Sequence, residues 1–169
     1  MWTWKKKLLY ILYVLFAQWL PESRHMRIAK TVRYLFAKKI ASFVGENANI
    51  ERGAKYTPDL IIGKNSGLGI NSEVYGPVVI GDNVMMGPEV VFYTQNHMHK
   101  AGEPFITQGY DAIKPVVIGS NVWIGRRAMF MPGSSVGDNV VVAAGSVVTS
   151  RFGNNVVIGG IPAKEIRKV

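Results

Sequence analysis

Of the three histidines in this chain, His97 stands where chemistry is easiest to place, in the string FYTQNHMHK at the start of a stretch that breaks an otherwise regular pattern. Imidazole is the one side chain whose ordinary pKa, about 6.5, lets it accept a proton near neutrality without special tuning. Held at the root of a loop on a rigid scaffold, such a group is suited to general-base work on a hydroxyl or an amine. The alternative is a purely structural histidine. His25 lies in a basic segment far upstream, and His99 follows two residues after His97. No cysteine is present, which removes a disulfide framework, a thiolate metal site and a thiol nucleophile.

The elements that must position His97 are legible as a period. From Val44, large residues recur every sixth position through Ile50, Tyr56, Ile62, Leu68, Val74, Ile80, Met86, Phe92 and Met98. The register resumes at Ile118 and runs through Ile124, Phe130, Val136, Val142 and Val148. A smaller residue commonly stands four places after the anchor, as at Ala48, Ser66, Val78, Ala128 and Ser146, and glycine often follows the anchor directly. A repeat of six fits neither a helix at about 3.6 nor a free strand at about 2, and it matches the hexapeptide class of parallel β-helix. Three hexads close one triangular coil, so residues eighteen apart stack at about 4.8 Å. The expected fold is an all-β core, a β-helix of about five triangular coils over residues 44–153. A β-sandwich would instead show turn signals about every 8–12 residues. Between Met98 and Ile118 the anchors fail, so residues near 99–115 read as a loop thrown out from the prism. Residues 154–169 leave the period and read as a basic helix or an extended tail.

Net charge is +9 over 169 residues, and its distribution says more than its size. Residues 1–40 carry nine basic groups against Glu22 alone, a net +8, whereas residues 41–169 carry eleven basic and ten acidic groups, a net +1. Such a cluster could neutralise phosphates, but no recognised nucleic-acid-binding motif accompanies it, and no nucleic-acid partner is expected. The same segment holds the apolar run Leu8 to Ala17, with Trp2, Trp4 and Trp19 around it, a mixture suited to a membrane surface. The run is shorter than the roughly 20 apolar residues needed to cross a bilayer. It also lacks the small residues of a signal-peptide cleavage site before Pro21. Residues 5–20 and 24–43 therefore read as two helices, the second with Ile28, Val32, Leu35, Phe36, Ile40 and Phe43 on one face. This appendage, residues 1–43, has two candidate roles: a cap on the open end of the prism, and peripheral membrane contact through residues 1–40. A cytoplasmic location, with membrane association on the cytoplasmic face, is the corresponding expectation.

Three strings carry a resemblance: VVIGDNVMMGPEVVFYTQNH, KPVVIGSNVWIGRRAMFMPGSSVGDNVVVAAGSVVTS and VVIGGIPAKEIRKV. With them, the chain from about residue 44 to its end resembles the hexapeptide-repeat O-acetyltransferases of the maltose, galactoside and nodulation-factor group. It is similar also to relatives that decorate capsular and exopolysaccharides. The resemblance implies a left-handed β-helix, although parallel crossovers are otherwise almost always right-handed. It further implies a homotrimer with active sites between subunits, acetyl-CoA as donor, a sugar or glycan hydroxyl as acceptor, and no metal.

Carried over by residue, the resemblance makes His97 the catalytic base. Trp123 in NVWIG borders the donor channel, unless it is only a surface aromatic, and the amide at Arg126 donates to the oxyanion. Lys164 and Arg167 meet the nucleotide phosphates of CoA. Where some relatives carry a lysine in the last coil, this chain has Ser150 beside Arg151, a shifted donor contact. Asn71 matches an acceptor-binding asparagine and stacks on Glu89, eighteen residues on; its other reading is an asparagine at a turn. Three further readings share the fold. A γ-class carbonic anhydrase needs a spacing of histidines that this chain lacks. N-acyl or serine acetyl transfer uses the same base, and a non-catalytic membrane-docked scaffold uses only the appendage.

Overall fold

The computed structural model describes residues 2–169 and is a triangular prism of parallel strands closed at one end by a helical hairpin. On the first face, Phe43–Val44, Ile61–Ile62, Val78–Ile80, Val116–Ile118, Ser135–Val136 and Arg151–Phe152 stack in that order. The second face begins with Asn49–Ile50 and Gly67–Leu68 and continues through Met85–Met86, Trp123–Ile124, Val141–Val142 and Val156–Gly160. Its two parts are joined by the Gly67 amide donating to the Val84 carbonyl at 3.0 Å. Glu73–Tyr75, Val91–Tyr93, Met129–Phe130 and Val147–Val148 form the third face, which Lys55 extends by a single bridge to Glu73.

The six-residue anchors fill the prism. Ile50, Tyr56, Ile62, Leu68, Val74, Ile80, Phe92, Ile118, Ile124, Phe130, Val136, Val142 and Val148 are all buried, and Phe92 stacks on Phe130 with ring centroids 4.8 Å apart. Small residues four places on, such as Ala48, Ser66, Val84, Ala128 and Ser146, are buried as well. Glycine and asparagine divide the work at the corner between the first and second faces. Asn47, Asn65, Asn83, Asn121, Asn139 and Asn155 all take left-handed backbone, with φ of 54–59°. Asparagine tolerates this conformation better than most residues. Their amides form a ladder, for example Asn121 donating to Asn139 at 2.7 Å. The glycine after the anchor is there for proximity instead: a Cβ on Gly119 would lie 2.5 Å from the Gly137 carbonyl carbon of the next coil.

Three features correct or narrow the expectations. The first face has six rungs because pairing continues past the strict period: Val136 pairs with Phe152 and Val142 with Ile158, steps of sixteen instead of eighteen. Of the two forms expected for the chain end, the extended one is found and the helix is not, Ala163–Lys168 running antiparallel to Val156–Gly160. Met98 is no core anchor, since Val78–Ile80 pairs directly with Val116–Ile118 and Ile118 takes its place. The intervening loop is pinned at its root by Lys114 donating to Thr94 at 2.7 Å and Asp111 to Asn96 at 2.9 Å.

The hairpin consists of helix α1, Trp4–Leu12, a π-helical turn Tyr13–Ala17, and helix α2, Arg27–Ile40. Phe43, expected on the second helix, opens the first strand and is exposed. Tyr13, Ala17, Ala37 and Ile40 join the core of the prism. The Tyr13 hydroxyl donates to the Ala54 carbonyl at 2.7 Å, and Gln18 and Gly53 are joined by two hydrogen bonds. These contacts cover the first coil, whose backbone would otherwise be an open sheet edge.

Candidate active site

His97 sits where the third face would turn onto the first. Its backbone bridges Tyr110 across the loop root, and the two rings pack with centroids 4.2 Å apart. The imidazole is exposed, and among the described residues no hydrogen bond occupies either ring nitrogen. It is therefore held by packing against the tilted Tyr110 ring while its nitrogens stay open to a substrate.

Beside it lies a groove of 270 Å³ lined by Thr57, Tyr75, Tyr93, Thr94, Tyr110 and Ile113, among others. Tyr75 and Tyr93 stack with centroids 5.8 Å apart. The Tyr75 hydroxyl donates to Glu73, whose other oxygen accepts from Lys55 at 2.8 Å. That hydrogen bond to Glu73, with partial burial, pushes the Tyr75 hydroxyl up to about 12. The bonds from Lys55 and Tyr75 hold the Glu73 carboxyl below its usual range. Sequence reasoning missed this cluster. The signal was available, since Tyr75 and Tyr93, like Lys55 and Glu73, are eighteen residues apart and so stack in adjacent coils.

Asn71, Glu89 and Arg127 share the corner between the second and third faces, all with left-handed backbone. The Glu89 oxygens accept from Arg126 at 2.6 Å and Arg127 at 2.5 Å, and these guanidinium groups hold the carboxyl below its ordinary range. Glu89 thus engages two arginines, and among the described residues no hydrogen bond joins it to Asn71, so the expected polar pair is not formed. The Arg126 amide lies between those of Gly125 and Arg127, which donate to Val142 and Pro88, and makes no hydrogen bond of its own among the described residues.

Trp123 is exposed on the second face between Met85 and Val141 of the adjacent rungs. The line continues through Val157 to Arg167 on the terminal strand, with Lys164 opposite Gly159. Ser150 and Arg151 do not join it: Arg151 lies in the last rung of the first face, opposite Ser135. Within the chain, therefore, His97 and Trp123 belong to different parts of the prism, with the third face between them.

Residues 115–150 match the family described as Bacterial transferase hexapeptide (six repeats), and residues 59–87 match Hexapeptide repeat of succinyl-transferase. Galactoside O-acetyltransferase of Escherichia coli strain K12 is 33% identical over 141 residues, covering 78% of this chain and 66% of that protein. The chain thus spans just under two thirds of that relative. A maltose O-acetyltransferase crystal structure from Clostridium difficile 630 superposes with a TM-score of 0.80 at 30% identity, over 97% of this chain and 86% of the other. Galactoside acetyltransferase in complex with coenzyme A gives 0.82 at 31% identity, over 97% and 80%. With identity at this level along nearly the whole prism and the hexad register in place, this chain belongs to the hexapeptide-repeat O-acetyltransferase family.

Proposed function

We propose that the protein transfers an acetyl group from acetyl-CoA to a hydroxyl of a sugar or glycan, as a homotrimer whose active sites lie between neighbouring subunits. The observation that carries this reading is His97, held by Tyr110 at the loop root with both imidazole nitrogens open beside a groove of tyrosines. Tyrosine faces and their hydroxyls suit a sugar, which presents apolar C–H surfaces and hydrogen-bonding groups together. Trp123 and the line toward Arg167 offer a flat ring for a thin pantetheine arm and cations for phosphates. Because those residues lie away from His97 within one chain, a complete site needs the His97 corner of one subunit against the Trp123 face of the next.

In the reaction, His97 takes the proton from the acceptor hydroxyl as that oxygen bonds to the thioester carbonyl carbon. The Arg126 amide donates to the carbonyl oxygen as it becomes an oxyanion. The carbon–sulfur bond then breaks, and the imidazolium returns its proton to the leaving sulfur. General-base assistance of this kind contributes about 10²–10⁴ in rate, and holding both substrates in one groove adds an entropic share.

The test is acetyl-CoA consumption across a panel of sugars, nucleotide sugars, lipid-linked glycans, amino sugars and serine. Turnover with a hydroxyl of a sugar or glycan is expected. Turnover confined to amines or to serine would replace this reading, as would the absence of any stabilisation by CoA in a thermal melt.

A further inference from the structure

Helix α1 is apolar on both of its sides. Its inner side, with Leu9, Tyr10 and Tyr13, packs on the prism and on α2. Its outer side carries Trp4, Leu8, Ile11 and Leu15, and the stripe runs on through the π turn to Trp19 just beyond it, at steps of four, three, four and four. These five side chains are 50–71% exposed. The apolar stripe of a surface helix normally faces the core, and a second, contiguous stripe left exposed marks a contact surface.

The charges around the stripe identify its partner. Lys5, Lys6 and Lys7 occupy the first turns of α1, where cations oppose the helix dipole, and no acidic residue stands in the first turn to offset them. Together with the bases of α2, they give residues 1–40 their net +8. A second copy docking by the same stripe would bring two such segments together and be repelled. An anionic lipid surface satisfies both features: apolar side chains enter the acyl boundary while lysines meet headgroup phosphates. No described helix is long and apolar enough to cross a membrane.

We propose that the outer stripe of α1 and its π turn lies in the interface of an anionic membrane. Capping and membrane contact are then opposite sides of one element. Tyr13, Ala17 and Gln18 seal the first coil, while Leu15 and Trp19 face outward. Deleting the helix would uncover the prism, so the discriminating changes are on the outer side alone.

The experiment is cosedimentation of the full chain with vesicles of phosphatidylcholine containing about 30% phosphatidylglycerol, beside vesicles of phosphatidylcholine alone. The wild type is expected to bind the anionic vesicles, and to bind at least about tenfold more weakly when salt rises from about 0.05 to 0.5 M. The double variant Leu15→Glu, Trp19→Glu is expected to lose at least about tenfold in binding, with an unchanged thermal midpoint and unchanged circular dichroism. No binding by the wild type, or equal binding by the double variant, overturns the proposal. So does a lipid-free wild type of larger hydrodynamic size than the variant, which would assign the stripe to a second copy of this chain.

Discussion

The Nε of Arg33 lies 2.6 Å from the carbonyl oxygen of Ile50, so a wholly buried guanidinium in α2 is hydrogen-bonded to the first coil of the prism. Its remaining donors reach the carbonyls of Leu20 and Pro21 and the Ser23 hydroxyl, each at 3.0 Å, and Glu51 stands 3.5 Å away. Burial pulls this guanidinium below its usual range, and Glu51 opposes the shift. One side chain therefore ties the link between the helices to the coil it covers. Arg33→Ala is expected to lower stability by on the order of 3 kcal/mol, because several buried carbonyls lose their donor at once. Lysine, lacking the planar fork, should not restore it. Urea denaturation of the three proteins checks this.

Glu51 gives the same junction a pH dependence. Burial raises its pKa, but the Ser23 amide, Asn49, the Ser23 hydroxyl and the Arg52 amide outweigh burial and leave it depressed. A depressed carboxyl stabilises the fold above its unfolded value, near about 4.3, and that contribution is lost as pH falls through the folded value. Glu51→Gln should therefore be less stable than wild type at neutral pH, and the gap should close below about pH 4. A gap that widened in acid would contradict the assignment. Thermal midpoints across the range provide the reading.

At the asparagine corner, Asn121→Ala removes the 2.7 Å ladder bond to Asn139 and puts a methyl side chain at φ 55°. A cost of about 1–2 kcal/mol is expected. Asn121→Gly, free of the backbone penalty, should lose less. Comparing the two variants by denaturation separates the ladder bond from the backbone strain.

Replacing Lys164 and Arg167 together with alanine should raise the KM for acetyl-CoA by about tenfold or more and change kcat much less. These residues lie at the far end of the Trp123 line, remote from the reacting carbon. Steady-state kinetics with the acceptor saturating provide the test, and an unchanged KM would put the nucleotide elsewhere.

How much of this was legible in sequence depends on whether a residue acts through the register or through its neighbours. The hexads predicted the burial of Ile62, Phe92 and Ile124 and the stacking of residues eighteen apart, because one side chain per hexad must fill the prism whatever surrounds it. The last rung was hidden by a two-residue shortening, after which Phe152 and Ile158 no longer fall on the six-count though they still pair. The site was less legible. His97 could be singled out because it stands where the period fails, yet its packing against Tyr110 depends on a loop that returns by a path no period encodes. Glu89 illustrates the same limit. Its stacking with Asn71 follows from arithmetic, whereas its capture by Arg126 and Arg127 depends on the twenty-residue excursion that brings those arginines into the next coil.

The central claim is that His97 is the base, and the most direct test is the kcat of His97→Ala with acetyl-CoA and a sugar acceptor both saturating. A fall of at least about 10²-fold is expected, with CoA affinity nearly unchanged, because proton transfer belongs to the chemical step and not to donor binding. A kcat close to that of the wild type would remove His97 from the mechanism.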